Sequence, residues 1–184
     1  MQENKRRYAA YIRAINVGGH TVKMDVLRQP FIDAGLAEVE TFLASGNVIF
    51  HASVADLAAL ENDLTARMAA AYGFETSVFI RSLEETAHLL AYPAFSAGEI
   101  TQAGAYNLAF LCREPDAAAV QRLAALTSDL DRFHVYGKHV YWLCAVKQSQ
   151  STISNAVFEK TLGMPSTIRG MNTLQRLVNK YPPD

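Results

Sequence analysis

The sequence predicts an α+β fold: two tandem ferredoxin-like (βαββαβ) units joined by a helix, with a further helix at the C-terminus. Short β-branched and aromatic runs alternate with stretches whose apolar residues recur three and four apart. Gly, Asn and Pro punctuate the junctions. The order of elements in the first half then recurs in the second, with no residue-level identity between the halves.

Residues 8–17 read as a strand, ended by Gly18-Gly19. Residues 23–34 read as a helix with Met24, Leu27 and Phe31 on one face, Pro30 as an internal irregularity and Gly35 just past its end. Residues 39–44 and 48–52 form a hairpin about the turn Ser45-Gly46-Asn47. Residues 55–72 carry the stripe Leu57, Leu60, Leu64, Met68 and Ala71, and Gly73 stops that helix. A strand over 74–81 completes the first unit. Ser82 and Glu85 have capping-box spacing and open a joining helix that runs to Ala91. Residues 94–104 read as a loop.

The second unit repeats the order: strand 105–112, helix 115–127, strands 132–136 and 139–146 about Gly137-Lys138, helix 152–162, strand 166–169. Helix 171–179 closes the chain. The expected subdomains are 1–92, with the joining helix, and 93–184, with the C-terminal helix.

Half of the 184 residues are hydrophobic and 19% are charged, which argues for a packed core and against disorder. The net charge of -1 conceals an asymmetry. Residues 4–24 hold five Lys or Arg and no acid, residues 25–131 hold fifteen acids against five bases, and residues 132–183 hold seven bases and one acid. Basic ends around an acidic middle suit an anionic ligand or partner, or a surface whose charges mix in space. No apolar run reaches the roughly 18–20 residues of a membrane span, and no apolar segment follows the basic N-terminus, so a cytoplasmic location is expected. Cys112 and Cys144 lack metal-ligand spacing and sit in apolar strand-like runs, so they read as buried, inert thiols rather than ligands or a disulfide.

Topology brings the chemistry together. When a third strand lies antiparallel between the first two, the loop after the first strand and the turn after the second share one sheet edge. That places Asn16, Gly18, Gly19 and His20 beside Ser45, Gly46 and Asn47, at the start of a helix carrying Lys23. Free N–H groups, glycines and a lysine suit an anion. The same glycines and asparagines also suit turns alone. Arg13, read as strand, faces a ligand, an acid or solvent. A second small polar cluster is expected from Ser151, Arg169 and Asn172, either as a site or as helix capping.

These segments resemble the bacterial family called domain of unknown function 1697. The resemblance rests on Arg13 to Gly19, Val22-Lys23-Met24, Ser45 to Val48, and Thr167 to Thr173, and covers nearly the whole chain. The family usually has Gly where Ala14 stands and Asn where Gly170 stands. The resemblance implies two ferredoxin-like subdomains and no activity.

The expected function is binding of a small anionic ligand, bearing phosphate or carboxylate, at this edge. One alternative is an enzyme using the same edge, with His20 as its titratable group. Another is nucleic-acid binding on an open sheet face through Tyr11, Arg13 and Phe50, which the near-zero net charge disfavours. The residues assign no cofactor, no metal and no oligomeric state.

Overall fold

The computed structural model describes residues 5–16 and 21–183. The described residues form β1 (Arg6–Ile12), α1 (Met24–Asp33), β2 (Ala37–Thr41), β3 (Asn47–Ala52), α2 (Leu57–Tyr72), β4 (Val78–Ser82), α3 (Leu83–Ala91) and α4 (Ala97–Gln102). They continue with β5 (Ala105–Leu111), α5 (Ala117–Ala124), β6 (Asp131–Tyr136), β7 (His139–Cys144), α6 (Asn155–Leu162), β8 (Ser166–Gly170) and α7 (Met171–Lys180). The fold is α+β, with two four-stranded antiparallel sheets ordered β2-β3-β1-β4 and β6-β7-β5-β8. The chain divides into two compact units, Met1–Leu89 with Leu177–Asp184, and Leu90–Arg176.

In the first unit, period-two alternation along β1 and β4 sends Tyr8, Ala10, Ile12, Val78 and Ile80 to one face. Leu27 and Phe31 of α1 and Leu64 and Met68 of α2 pack there, all fully buried. Each such side chain contributes about 1.5–3 kcal/mol of burial, enough to set which way each helix faces. Ala71, expected on the α2 stripe, is exposed. In the second unit, Ala109, Leu111, Val140 and Trp142 meet Ala119 and Leu123 of α5 and Phe158 and Leu162 of α6.

Pro30 lies inside α1 without ending it. A proline there leaves the carbonyl four residues back without its helical donor. That carbonyl belongs to Val26, and the Tyr72 hydroxyl donates to it at 3.0 Å. Half-burial of Tyr72 pushes its phenol up to about 12, so it stays a donor at neutral pH.

The strand edges are treated unequally. Outside β4, the N–H of Val78 donates to Thr65 Oγ1 at 3.0 Å and that of Ile80 to Glu61 Oε1 at 2.6 Å. Thr65 and Glu61 are one turn apart on α2, which thereby seals the edge. Outside β8, the N–H of Ser166 donates to Glu159 Oε1 of α6 at 2.8 Å. Edge strand β2 carries a register shift between Ala37 and Glu40, with Glu38 left-handed at φ 51°.

Two expectations need correction. β1 stops at Ile12 rather than running to 17, because Ala14 and Asn16 take left-handed φ of 61° and 56°, which no strand contains. Arg13 is therefore a turn residue and not a strand residue. Residues 94–104 are not all loop: Ser96 and Glu99 form a complete capping box that opens α4.

Candidate functional site

The rim at the end of β1 is built by backbone reversal. After Ile12, the left-handed Ala14 and Asn16 fold the chain back so that Ile15 buries beside Ile12 in the same core. Arg13 is half-buried in this reversal. Its N–H donates to the Ser77 carbonyl at 2.9 Å, and its own carbonyl accepts from Thr76 Oγ1 at 2.8 Å.

The reversal meets the β2–β3 turn directly. The N–H of Ile12 donates to the Gly46 carbonyl at 2.8 Å, and Asn16 Nδ2 donates to the Ala44 carbonyl at 2.7 Å. Asn16 Oδ1 accepts from the N–H of Val22 at 3.0 Å, so this one side chain bonds both to Val22 and to the neighbouring turn. Gly46 has φ +70°, and a Cβ there would stand 3.0 Å from Ile15 Cβ. Both its angle and its lack of a side chain are needed.

Within the turn, the fully buried Asn47 donates through Nδ2 to the Phe42 carbonyl at 3.0 Å and to Ser45 Oγ at 2.8 Å. Lys23 is exposed at the N-cap of α1 and makes no side-chain cap bond. Gly18, Gly19 and His20 lie outside the described residues. Of the expected residues, the structure therefore brings Asn16, Ser45, Gly46 and Asn47 together, with Arg13 in the same reversal and Lys23 just beyond Val22. The polar groups of Asn16 and Asn47 hold the rim's own backbone.

The residues of the expected second cluster each have partners of their own. Ser151 Oγ donates to Asp131 Oδ2 at 2.9 Å, and the same carboxylate accepts from Trp142 Nε1 at 2.7 Å. Arg169 is buried and donates to Thr167 Oγ1 at 2.7 Å and to the Ile168 carbonyl at 2.9 Å. Asn172 is exposed on the first turn of α7.

Tyr11 and Phe50, expected on an open sheet face, are fully buried; the Tyr11 hydroxyl is 3.0 Å from Thr86 Oγ1. Of the two thiols, Cys144 is buried, which pushes it up to about 12, and Cys112 is exposed rather than buried as its apolar run suggested. Among the described residues no group of acids, histidines and cysteines is placed to hold a metal ion, and no helix is long and apolar enough to cross a membrane.

Sequence reading missed a buried ion pair. Arg81, fully buried on β4, meets Glu61 of α2 at 3.2 Å and Glu85 of α3 at 3.4 Å. Burial lowers the affinity of this guanidinium for its proton, and the two carboxylates raise it. The signal was an arginine directly following the apolar run Val78-Phe79-Ile80 on the same strand. A cleft of about 610 Å³ beside β6 was missed too. There Arg132 pairs with Glu99 and stacks over Phe95 at 5.3 Å, while His134 Nε2 is 3.0 Å from the Tyr92 hydroxyl.

Two four-stranded antiparallel sheets packed with helices, and a glycine-bearing rim at the end of β1, define the class. The chain belongs to the family described as protein of unknown function (DUF1697), whose profile matches residues 6–141. Among solved structures it is similar to the conserved bacterial protein SP0830 from Streptococcus pneumoniae, at 26% identity. That likeness covers 96% of this chain and 98% of the other, with a TM-score of 0.69. No curated protein matches it.

Proposed function

We propose that the protein binds a small anionic ligand, bearing phosphate or carboxylate, at the rim shared by residues 13–16, 44–47 and the start of α1. The observation that carries this reading is the double tether of Asn16, to the Ala44 carbonyl and to the N–H of Val22. It links residue 16 to residue 22 and to the hairpin turn, with Lys23 exposed at a helix start that has no capping side chain. Helix starts and glycine-rich turns present N–H groups to anions. Left-handed non-glycine residues, at a cost of about 1–3 kcal/mol each, cluster at ligand sites, and Ala14 and Asn16 are two of them.

The strand orders support reading each unit as ferredoxin-like and the chain as a tandem pair of such units. Binding is favoured over catalysis because no acid in the segment would orient His20 as a base.

The test is a calorimetric titration of inorganic phosphate, nucleoside monophosphates and small organic acids into the wild type and Lys23→Ala. Saturable binding that weakens about tenfold in the variant is expected. Binding unchanged by Lys23→Ala, or no binding by any of these probes, overturns the reading.

A further inference from the structure

The two sheets together have four outer edges, and three of them are closed. α2 seals β4, α6 occupies the outside of β8, and a bulge breaks β2. The fourth edge, β6, is regular along its length. Its pairing with β7 runs without a shift from Asp131↔Cys144 to Tyr136↔His139. An unmodified edge strand is a template for another strand, and proteins normally obstruct it.

The orientation of β6 follows from its neighbours. The Leu130 carbonyl accepts from Ala145 on the β7 side, whereas the Asp131 carbonyl accepts from Ser128 on the outer side. Alternation then points the backbone N–H and C=O of Phe133 and Val135 outward. Among the described residues these groups meet no hydrogen-bond partner. The 610 Å³ cleft runs along this edge and is lined on both sides of the strand, by Pro93, Phe95, Arg132 and His134 and by Thr127 and Phe133. Large apolar side chains stand exposed at both ends of it, Leu130 at 40% and Tyr136 at 36%.

We propose that β6 is a dimerisation edge: it pairs antiparallel with β6 of a second copy of this chain, about a two-fold axis at His134, joining two four-stranded sheets into one. The strand is its own complement in this register. Phe133 lies opposite the partner's Val135 in a hydrogen-bonded pair, and the reverse, so all the outward groups of both residues are satisfied. Arg132 lies opposite the partner's Tyr136, a cation–aromatic pair between two exposed side chains. Asp129, before the strand, approaches the partner's Lys138, after it, so opposite charges meet at both ends. The tip of the β6–β7 hairpin leaves the edge clear, since only Gly137 and Lys138 connect the strands. An interface of this kind is isologous and closes on itself.

Two variants test it. Sedimentation equilibrium of the wild type is expected to show a dimer at micromolar concentration. Val135→Pro removes an outward N–H and keeps an apolar ring where the half-buried valine packs, a substitution that edge strands tolerate. It is expected to keep the circular dichroism and melting temperature of the dilute wild type while shifting the protein to monomer. His134→Cys in a Cys112→Ser background places two thiols opposite each other across a pair about 4.5 Å apart at Cα. Mild oxidation is expected to yield a covalent dimer from that variant and none from Cys112→Ser alone. A wild type that stays monomeric at 100-fold higher concentration, with no covalent dimer from H134C, overturns the proposal and leaves the edge to an extended peptide of another protein. A dimer that Val135→Pro leaves intact overturns it as well.

Discussion

Gly46→Ala gives the most direct reading of the rim. The new Cβ meets Ile15 Cβ at 3.0 Å and the Ile12 carbonyl at 3.2 Å, and the backbone stays at φ +70°. A left-handed alanine costs about 1–2 kcal/mol. Crowding a packed position adds about 1–3 kcal/mol. Lower chain entropy in the unfolded state returns about 0.4–1 kcal/mol. The net is a loss of about 3 kcal/mol, or a melting temperature lower by about 6–12 °C for a chain of this length. Ala14→Gly has the opposite sign. It relieves about 1–2 kcal/mol of left-handed strain at φ 61° against a glycine cost of about 0.5–1 kcal/mol, leaving a gain of about 0.5–1 kcal/mol. Scanning calorimetry is the assay, because the single tryptophan, Trp142, reports on the other unit. A Gly46→Ala protein within 0.5 kcal/mol of wild type, by the crowding rule, or a destabilised Ala14→Gly protein, would refute this account of the rim.

Other expectations can be checked together. Tyr72→Phe costs about 0.5–1.5 kcal/mol by stranding the Val26 carbonyl, and the loss shrinks in a Pro30→Ala background, where an alanine N–H takes that carbonyl; a double-mutant cycle with no coupling refutes the compensation. Glu61→Leu removes one of the two carboxylates facing the buried Arg81, leaving Glu85, and strands the Ile80 N–H, for a loss of about 3 kcal/mol in urea unfolding, and a loss under 1 kcal/mol contradicts the pair's role. Glu99 is held at about 2 by its Ser96 hydrogen bonds and by Arg132, below its ordinary 4.5. Because the folded value is the lower one, its contribution is complete above about pH 4.5 and is lost as pH falls toward 2; carboxyl NMR should show a midpoint near 2, and an ordinary midpoint contradicts the assignment. In the native protein a maleimide should label Cys112 and spare Cys144, with both reacting in denaturant.

The sequence made the layering legible because burial leaves a period. Leu27 with Phe31, Leu64 with Met68, and Leu174 with Leu177 announce inward faces that the structure buries. The shared rim was legible too, since it follows from two antiparallel pairings, β1 with β3 and β2 with β3. The end of β1 was not. Ile12 and Ile15 are both core residues, and three-residue spacing looks wrong for a strand; only the left-handed angles of Ala14 and Asn16 reconcile it, and alanine gives no hint of such an angle. The family's usual glycine at that position was the available clue. The Ser96-to-Glu99 spacing was likewise a readable capping box, hidden by the small residues around it. The buried Arg81 network escaped because its members come from separate elements, and spacing along a chain cannot show that Glu61 and Arg81 meet.

The way α2 shields β4 has a practical corollary. Thr65 and Glu61 each hold one amide of the outer strand, so the helix cannot slide or roll against the sheet without surrendering those protons to solvent. Deuterium uptake at Val78 and Ile80 therefore times the detachment of a single helix, separately from the melting of the strand pairs beneath it. Slow exchange at both strand positions with quick exchange at the ends of the helix would mark α2 as a clasp that frays at its ends before it lets go.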